Sequence, residues 1–349
     1  MQNAADVMSL RFLKSLVRSY YDEQKLRIEV GNRLVGNMKM TLGFNNAADG
    51  AVDYTADSVD DGVPEKAKEL LKEFINEYKR LADMFAAENV RGKIMRERLR
   101  VQNGMITNAY EYELAKSYLV HLTREKDLEK SLADSLNDFP IWERFLKQVK
   151  GVGPLMASVI ITELDPHKAR HASSFHKYAG LDVAEDGKGR SRRKEHLIKV
   201  TYVDHSGKEA ERNSITFNPF LKTKLIGVLG SSFIKQRGSK YRLIYDNYKH
   251  RLEHHVVYKD VSKGHRHNMA VRYAVKMFLI DLWCVWREFE GLVVTAPYHE
   301  AKLGLKHNTV DAVPVQGIQH LDDTVADSVA AKLSDTSVNR KRLFAVDYE

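Results

Sequence analysis

The sequence predicts a mainly α protein: an N-terminal long-helix or coiled-coil part, then a helix-hairpin-helix domain carrying a small β-hairpin insertion. Three observations predict it. Apolar residues recur at spacings of three and four over long stretches, as on one buried helical face. Gly151-Val152-Gly153-Pro154 separates two apolar segments as a tight turn followed by a helix start. Between 196 and 217 the pattern alternates in the strand manner around His205-Ser206-Gly207-Lys208, which supplies a hairpin turn.

The first helix covers 8–34, with Leu10, Leu13, Leu16, Val17 and Tyr20 on one face. A break follows at 43–62, where Asp49, Asp53, Asp57, Asp60 and Asp61 stand among small residues as a solvated acidic linker. Pro64 then suits the first position of a helix. Behind it Ala67, Leu70, Leu71, Phe74, Ile75, Tyr78, Leu81 and Phe85 form a stripe for a core or a coiled-coil seam. Two further helices are expected at 106–123 and 127–149, the second interrupted near Pro140. After the hairpin, strands at 196–203 and 209–217, Asn218 caps a helix whose first residue is Pro219. Helices then follow at 219–235, 240–254 and 268–290. Trp283 and Trp286, with Tyr273, Phe278 and Leu282, share helical spacing and read as core. The tail from Gly304 is polar, apart from a short apolar pattern at 321–333. Four segments result: 1–62, 63–141, 142–303 and 304–349.

The chain has 349 residues, a formal charge of +8 and a pI near 9.2. Between 150 and 287 stand 26 Lys and Arg against 13 Asp and Glu, so the remainder is net acidic and the positive charge is concentrated. That concentration points to a polyanionic partner: nucleic acid first (DNA, or structured RNA), an acidic membrane surface second. The single cysteine, Cys284, excludes a disulfide framework within the chain and any Cys-x-x-Cys metal site. The opening residues lack a basic-then-apolar leader, and no stretch approaches the roughly 18 apolar residues of a membrane span. A cytoplasmic location and no membrane partner are expected.

The segment 145–163 carries the most chemistry. Its two glycines let the backbone turn closely, and the helix beginning at Pro154 presents unsatisfied N–H groups that suit a phosphate. Lys147, Lys150, Gly151, Val152 and Gly153 are therefore candidate contacts to a DNA backbone, which position a duplex without reading bases. Val149, Val152, Leu155 and Ala157 would pack its two helices together. Downstream, Lys188, Arg190, Arg192, Arg193 and Lys194 lie near Gly187 and Gly189, a mobile cationic loop that would clamp a phosphate backbone. Arg266 and His267 add a third basic element. His250, His254, His255 and His265 lack Cys or acidic partners at ligand spacing, so contacts to phosphate or solvent are preferred to a metal site.

Taken together, Gly151-Val152-Gly153-Pro154-Leu155-Met156-Ala157, then Phe175-His176-Lys177-Tyr178-Ala179-Gly180-Leu181, then the glycine-basic loop, resemble the C-terminal domain of the IS110/IS116/IS902 insertion-sequence transposases. Lys263-Gly264-His265-Arg266-His267-Asn268-Met269-Ala270, followed by Val275-Lys276-Met277-Phe278-Leu279, is similar to the closing helices of that group. The likeness covers 142–287, and the upstream helices resemble the coiled-coil segment that precedes the domain. It implies transposition and recombination of a mobile element, RNA-guided in some members. It also implies a RuvC-like domain with four carboxylates, Mg2+, and a serine in the C-terminal domain. Here the chain opens directly into a helix, so a RuvC-like partner chain is expected to supply the carboxylates, with self-association through the N-terminal helices. Where the family has Ser-Gly after Tyr-Ala-Gly-Leu, this chain has Lys188-Gly189. Ser191 among its arginines is the candidate nucleophile, ahead of Ser206 in the hairpin turn. The alternative is a DNA- or RNA-binding relative that has lost strand cleavage, and more remotely a coiled-coil adaptor.

Overall fold

A computed structural model describes residues 4–41 and 65–295. The acidic segment 43–62, Pro64 and the tail from Gly304 with its pattern at 321–333 lie outside the described residues. The chain divides into two compact units, at 1–136 and 137–349. Mainly α describes both: among the described residues one two-stranded hairpin accompanies the helices.

The first unit holds α1 (Ala4–Thr41), α2 (Glu65–Ala87), α3 (Gly92–Val101) and α4 (Ala109–Ser135). On α1, Leu13, Val17, Tyr20, Val30 and Leu34 are buried, three to four residues apart or a multiple of turns. Contacts pair Asn37 with Glu111, Gly31 with Tyr118, and Arg27 with Glu125, so α1 and α4 run antiparallel. Glu125 is buried at the centre of this pairing and accepts from Arg27 and from Gln24 Nε2 at 3.2 Å. Phe74, Ile75, Leu81 and Phe85 of α2 close a core with Leu99 and Ile106. The interruption expected near Pro140 is present, with α4 ending at Ser135. The helix expected at 106–123 and the first part of that expected at 127–149 are instead one, α4, which runs unbroken through Arg124-Glu125-Lys126. No breaker stands there, and the ion pair with Arg27 holds that turn in the helix interface. The amphipathic α3, with Leu99 as its buried residue, was not anticipated.

The second unit begins with the short helix α5 (Pro140–Arg144) and a 3-10 turn, Leu146–Gln148. The first arm of the expected helical hairpin is thus a broken turn, because Pro140 restarts the chain only five residues earlier. The second arm, α6 (Pro154–Glu163), starts on Pro154 as expected, and Met156 through Thr162 are all buried. Two further helices flank the next turn and the hairpin: α7 (Ala172–Tyr178) before them and α8 (Pro219–Thr223) after. The strands β1 (Ile198–Val203) and β2 (Glu209–Ser214) pair antiparallel, Ile198 opposite Ser214 and Val203 opposite Glu209.

Asn218 caps α8 by accepting from the Leu221 amide at 3.0 Å. The helix expected over 219–235 is present as a composite: α8, a π-wound stretch Lys224–Gly230, then α9 (Ser231–Lys235). Gly230 sits at the end of the wide turns, where a Cβ would stand 2.5 Å from Val271 Cγ1. Val271 belongs to α11 (Lys263–Phe289), which follows α10 (Lys240–His254). The sequence reading began α11 too late, at 268; Ser262 caps it with its hydroxyl toward the His265 amide. Phe278, Leu282 and Trp283 are fully buried on α11, Trp286 is buried, and Trp283 Nε1 donates to the Ala169 carbonyl at 2.8 Å. No described helix is long and apolar enough to cross a membrane.

Candidate nucleic-acid interface

Two glycines explain the local backbone. Gly151 has φ +101, and a Cβ there would meet Phe233 and Ser232 at 3.1 Å. Its carbonyl accepts from Ser232 Oγ at 2.8 Å. The turn that the sequence assigned to a phosphate therefore docks by its Gly151 face onto α9, while Gly153 stays exposed. Val152 is buried, Lys150 is exposed, and Lys147 pairs with Glu143 at 2.7 Å on the surface.

Gly180, φ +65, ends α7. The Leu181 amide donates to the His176 carbonyl at 2.8 Å and the Gly180 amide to Lys177 at 3.1 Å, a left-handed helix stop that needs glycine. The Phe217 ring covers the space a Cβ would fill, 2.6 Å away. His176 Nε2 lies 3.1 Å from the Lys276 carbonyl and anchors α7 on α11. Tyr178-Ala179-Gly180-Leu181 is thus a structural corner that aims the following segment.

That segment, 182–193, folds as a hydrogen-bonded turn; the sequence reading took it for a mobile loop. Val183 and Gly189 form a β-bridge, the Ala184 amide donates to the Lys188 carbonyl at 2.8 Å, and Gly187 supplies φ +75. Asp186 Oδ1 accepts from the Lys188 amide at 2.9 Å, and Arg190 Nε pairs with Asp182 at 2.8 Å.

The turn forms one wall of a cleft of about 670 Å³. Lys222 of α8, Val257, Tyr258 and Val261 after α10, and His265, Met269 and Arg272 of α11 form the rest. Of the residues chosen from sequence, Lys188, Arg190, Ser191 and Arg193 line it. Lys147, Lys150, Gly151, Val152, Gly153, Arg192, Lys194, Arg266 and His267 do not. Arg266 instead reaches the carbonyls of Lys259 (2.6 Å) and Val261, which fastens the loop after α10. His267 Nδ1 lies 2.7 Å from the Tyr245 hydroxyl, and burial, then Lys249, pushes its pKa down. Both serve the cleft's frame.

Lys222 and Arg272 were missed because each sits singly inside a helix pattern, and only the fold brings them to the turn. The Arg272 guanidinium lies against the bare Gly189 backbone, 2.9 Å from where a Cβ would stand. Lys222 Nζ donates to the Arg190 carbonyl at 2.5 Å and lies 4.6 Å over the Phe217 ring. Burial, followed by the nearby Arg272 charge, pushes its pKa down to about 8. Six cationic or potentially cationic side chains line the cleft and no carboxylate does, so an anion with several oxygens is the complementary ligand.

Around Ser191 the geometry is tighter still. Ser191 Oγ and its backbone nitrogen both lie 2.9 Å from His196 Nδ1, and His196 Nε2 lies 3.2 Å from Asp186 Oδ2. His196 is buried. Sequence reading missed it, since Asp186, Ser191 and His196 match no catalytic spacing. Mg2+, by contrast, has no donor set: among the described residues no three His, Cys, Asp or Glu side chains stand close enough to hold a metal ion.

No curated protein matches the chain, and no solved structure does. A family model does match, described as Transposase IS116/IS110/IS902 family, over residues 143–206. The matched stretch runs from α5 through the docked turn, the Tyr-Ala-Gly-Leu corner and the cleft wall to the hairpin turn. Residues 143–206 are therefore similar to the model of the IS116/IS110/IS902 transposase family, and the matched stretch lies within the second compact unit.

Proposed function

We propose that this chain acts on the DNA of a mobile element, gripping the phosphodiester backbone in the cleft between the 182–193 turn, α8 and α11. The observation that carries this reading is the convergence of Lys188, Arg190, Arg193, Lys222, His265 and Arg272 on one opening whose lining holds no carboxylate. Such a site binds phosphate oxygens and is indifferent to base sequence. Lys147, Lys150 and the exposed Gly153, which lie outside the cleft lining, would be additional backbone contacts. Ser191, at the cleft wall, is the hydroxyl positioned for attack on a held phosphate. The transposase family of residues 143–206 supports the same reading, and DNA is preferred to structured RNA on that ground. Carboxylates for Mg2+-dependent chemistry would come from a RuvC-like partner chain. The exposed Phe12 and Leu26 on α1 favour self-association through the N-terminal helices.

Fluorescence anisotropy with a labelled duplex tests the grip. Arg272→Met and Lys222→Met should each weaken binding about tenfold or more, the size of one to two lost charge-assisted contacts. Lys147→Ala and Lys150→Ala should have smaller effects. Equal affinity of the parent and the cleft variants would rule the cleft out.

A further inference from the structure

We propose that the cleft takes one unpaired DNA nucleotide, its phosphate on Lys222 and Arg272 and its base against an apolar wall of Val257, Tyr258, Val261 and Met269. This rests on the phosphate grip of the same cleft and accounts for the lining that the grip leaves unused. The 182–193 turn supplies cations, whereas the loop after α10 supplies two valines and a tyrosine. A paired duplex laid across the opening touches protein with its phosphates and groove edges, because its base faces are stacked on one another. Such a ligand leaves the apolar wall in water. An unstacked base has a free π-face, which a tyrosine ring with aliphatic neighbours holds. A nucleotide matches both walls at once, anionic at one end, flat and apolar at the other.

Size and framework agree. A cleft of about 670 Å³ falls within the roughly 300–1,000 Å³ that takes a single small ligand, and it is too small for a segment of double helix. Helix α11 joins the two walls, since His265, Met269 and Arg272 stand at i, i+4 and i+7 on one face. Met269 and Arg272 are one turn apart, about 4.5 Å along the axis, so a nucleotide that touches Met269 also reaches the guanidinium. The apolar wall is built before any ligand arrives. The Tyr258 and Lys259 amides donate to the His255 carbonyl at 3.1 and 2.9 Å, and the Val257 amide donates to His255 Nδ1 at 3.1 Å. The His255 ring stands beside Tyr258, with centroids 4.9 Å apart, and Arg266 fastens the loop through the Lys259 and Val261 carbonyls. Held this way, Tyr258 loses little freedom when a base stacks on it. Val257 is 61 % exposed, an aliphatic side chain left in water at a cationic cleft. Covering it is favourable, and a bare phosphate cannot do so. Extruding a paired base costs its pairing and stacking, so DNA already bulged, gapped or frayed at one position is the preferred ligand.

The test compares three labelled DNAs by fluorescence anisotropy with the full chain. One is a duplex, one is the same duplex with a single bulged thymidine, and the third carries an abasic site in the bulge, which keeps sugar and phosphate without a base. The thymidine bulge should bind about tenfold or more tighter than the abasic bulge, the scale of one stacked base, and the plain duplex should bind more weakly than the thymidine bulge. Tyr258→Ala should remove the thymidine-to-abasic ratio, and Tyr258→Phe should keep it. Val257→Ser, at an exposed position that needs no buried change, should reduce it. Arg272→Met should weaken all three DNAs and leave the ratio standing. Equal affinity for the two bulges in the parent, or a ratio untouched in both Tyr258→Ala and Val257→Ser, overturns the proposal. If Arg272→Met still weakens binding in that case, the phosphate grip stands and the base site is refuted. A ratio that depends on Tyr258, with Arg272→Met binding as the parent does, would do the reverse. Tighter binding of thymidine monophosphate, or of an RNA duplex with the same bulge, would assign the cleft to that ligand and overturn the DNA proposal.

Discussion

A lysine with a pKa pushed down to about 8 is a cation on the edge of discharge, and Lys222 is one because burial and Arg272 both oppose its charge. Asp182 opposes that effect and Arg190 adds to it, so the charged form is held only weakly. A bound phosphate would favour the protonated lysine, which gives the sign. Affinity for DNA should be full below pH 8 and fall above it, since free Lys222 then sheds a proton that binding must restore. Between pH 7 and pH 9 the loss should approach about tenfold, one pH unit past the midpoint. Lys222→Arg, which stays charged, should abolish the dependence over that interval. A parent whose affinity is the same at both pH values would contradict the account. At this scale the sequence was only partly legible. Lys188, Arg190, Arg193 and Ser191 were visible as a basic cluster with a hydroxyl. Lys222 and Arg272 were not, because nothing local distinguishes a cleft lysine from a solvated one.

Elements were more legible where a local rule decides them. Asn218-Pro219 announced a capped helix, and Lys240–His254 begins on the Ser239 cap where the pattern placed it. The β-hairpin followed from alternation and the Ser206-Gly207 turn, with Gly207 at φ +79. Long-range packing decided the rest. The helical hairpin lost its regular first arm to Pro140, and Gly151, chosen for an approach to phosphate, is covered by Phe233 and Ser232. The π-wound stretch before Ser231 could not be foreseen, since its apolar spacing suits an ordinary helix. Its cause lies at Gly230, which lets the wide turn approach Val271 of α11, the helix that carries Arg272 and His265. Gly230→Ala should therefore destabilise the chain by about 1–3 kcal/mol through overpacking, read by urea denaturation. Trimming the partner, in Gly230→Ala with Val271→Ala, should cost less than the two single changes together. Additive losses would show that the contact does not set the turn.

For the molecule as a whole, charge is distributed by unit. The stretch 150–287 carries the positive excess and the rest of the chain is net acidic, so the charge that suits a polyanion lies in the second unit. The first unit is organised around a buried carboxylate, Glu125, in an antiparallel helix pair, which is an architectural role. The matched stretch 143–206 supplies only one wall of the cleft, and α8, the loop after α10 and α11 complete it from outside the match. Hence the family likeness was readable from sequence whereas the cleft was only partly so: Gly151 and Gly180 make corners, and the proposed grip draws on residues up to Arg272. The most direct test is the salt dependence of duplex affinity for the parent and for Lys222→Met/Arg272→Met. With several phosphates held in the cleft, the logarithm of affinity should fall steeply with the logarithm of salt concentration, and the double variant should be shallower by about two. A flat response in the parent, or identical slopes in both proteins, would contradict the claim that this cleft holds a nucleic-acid backbone.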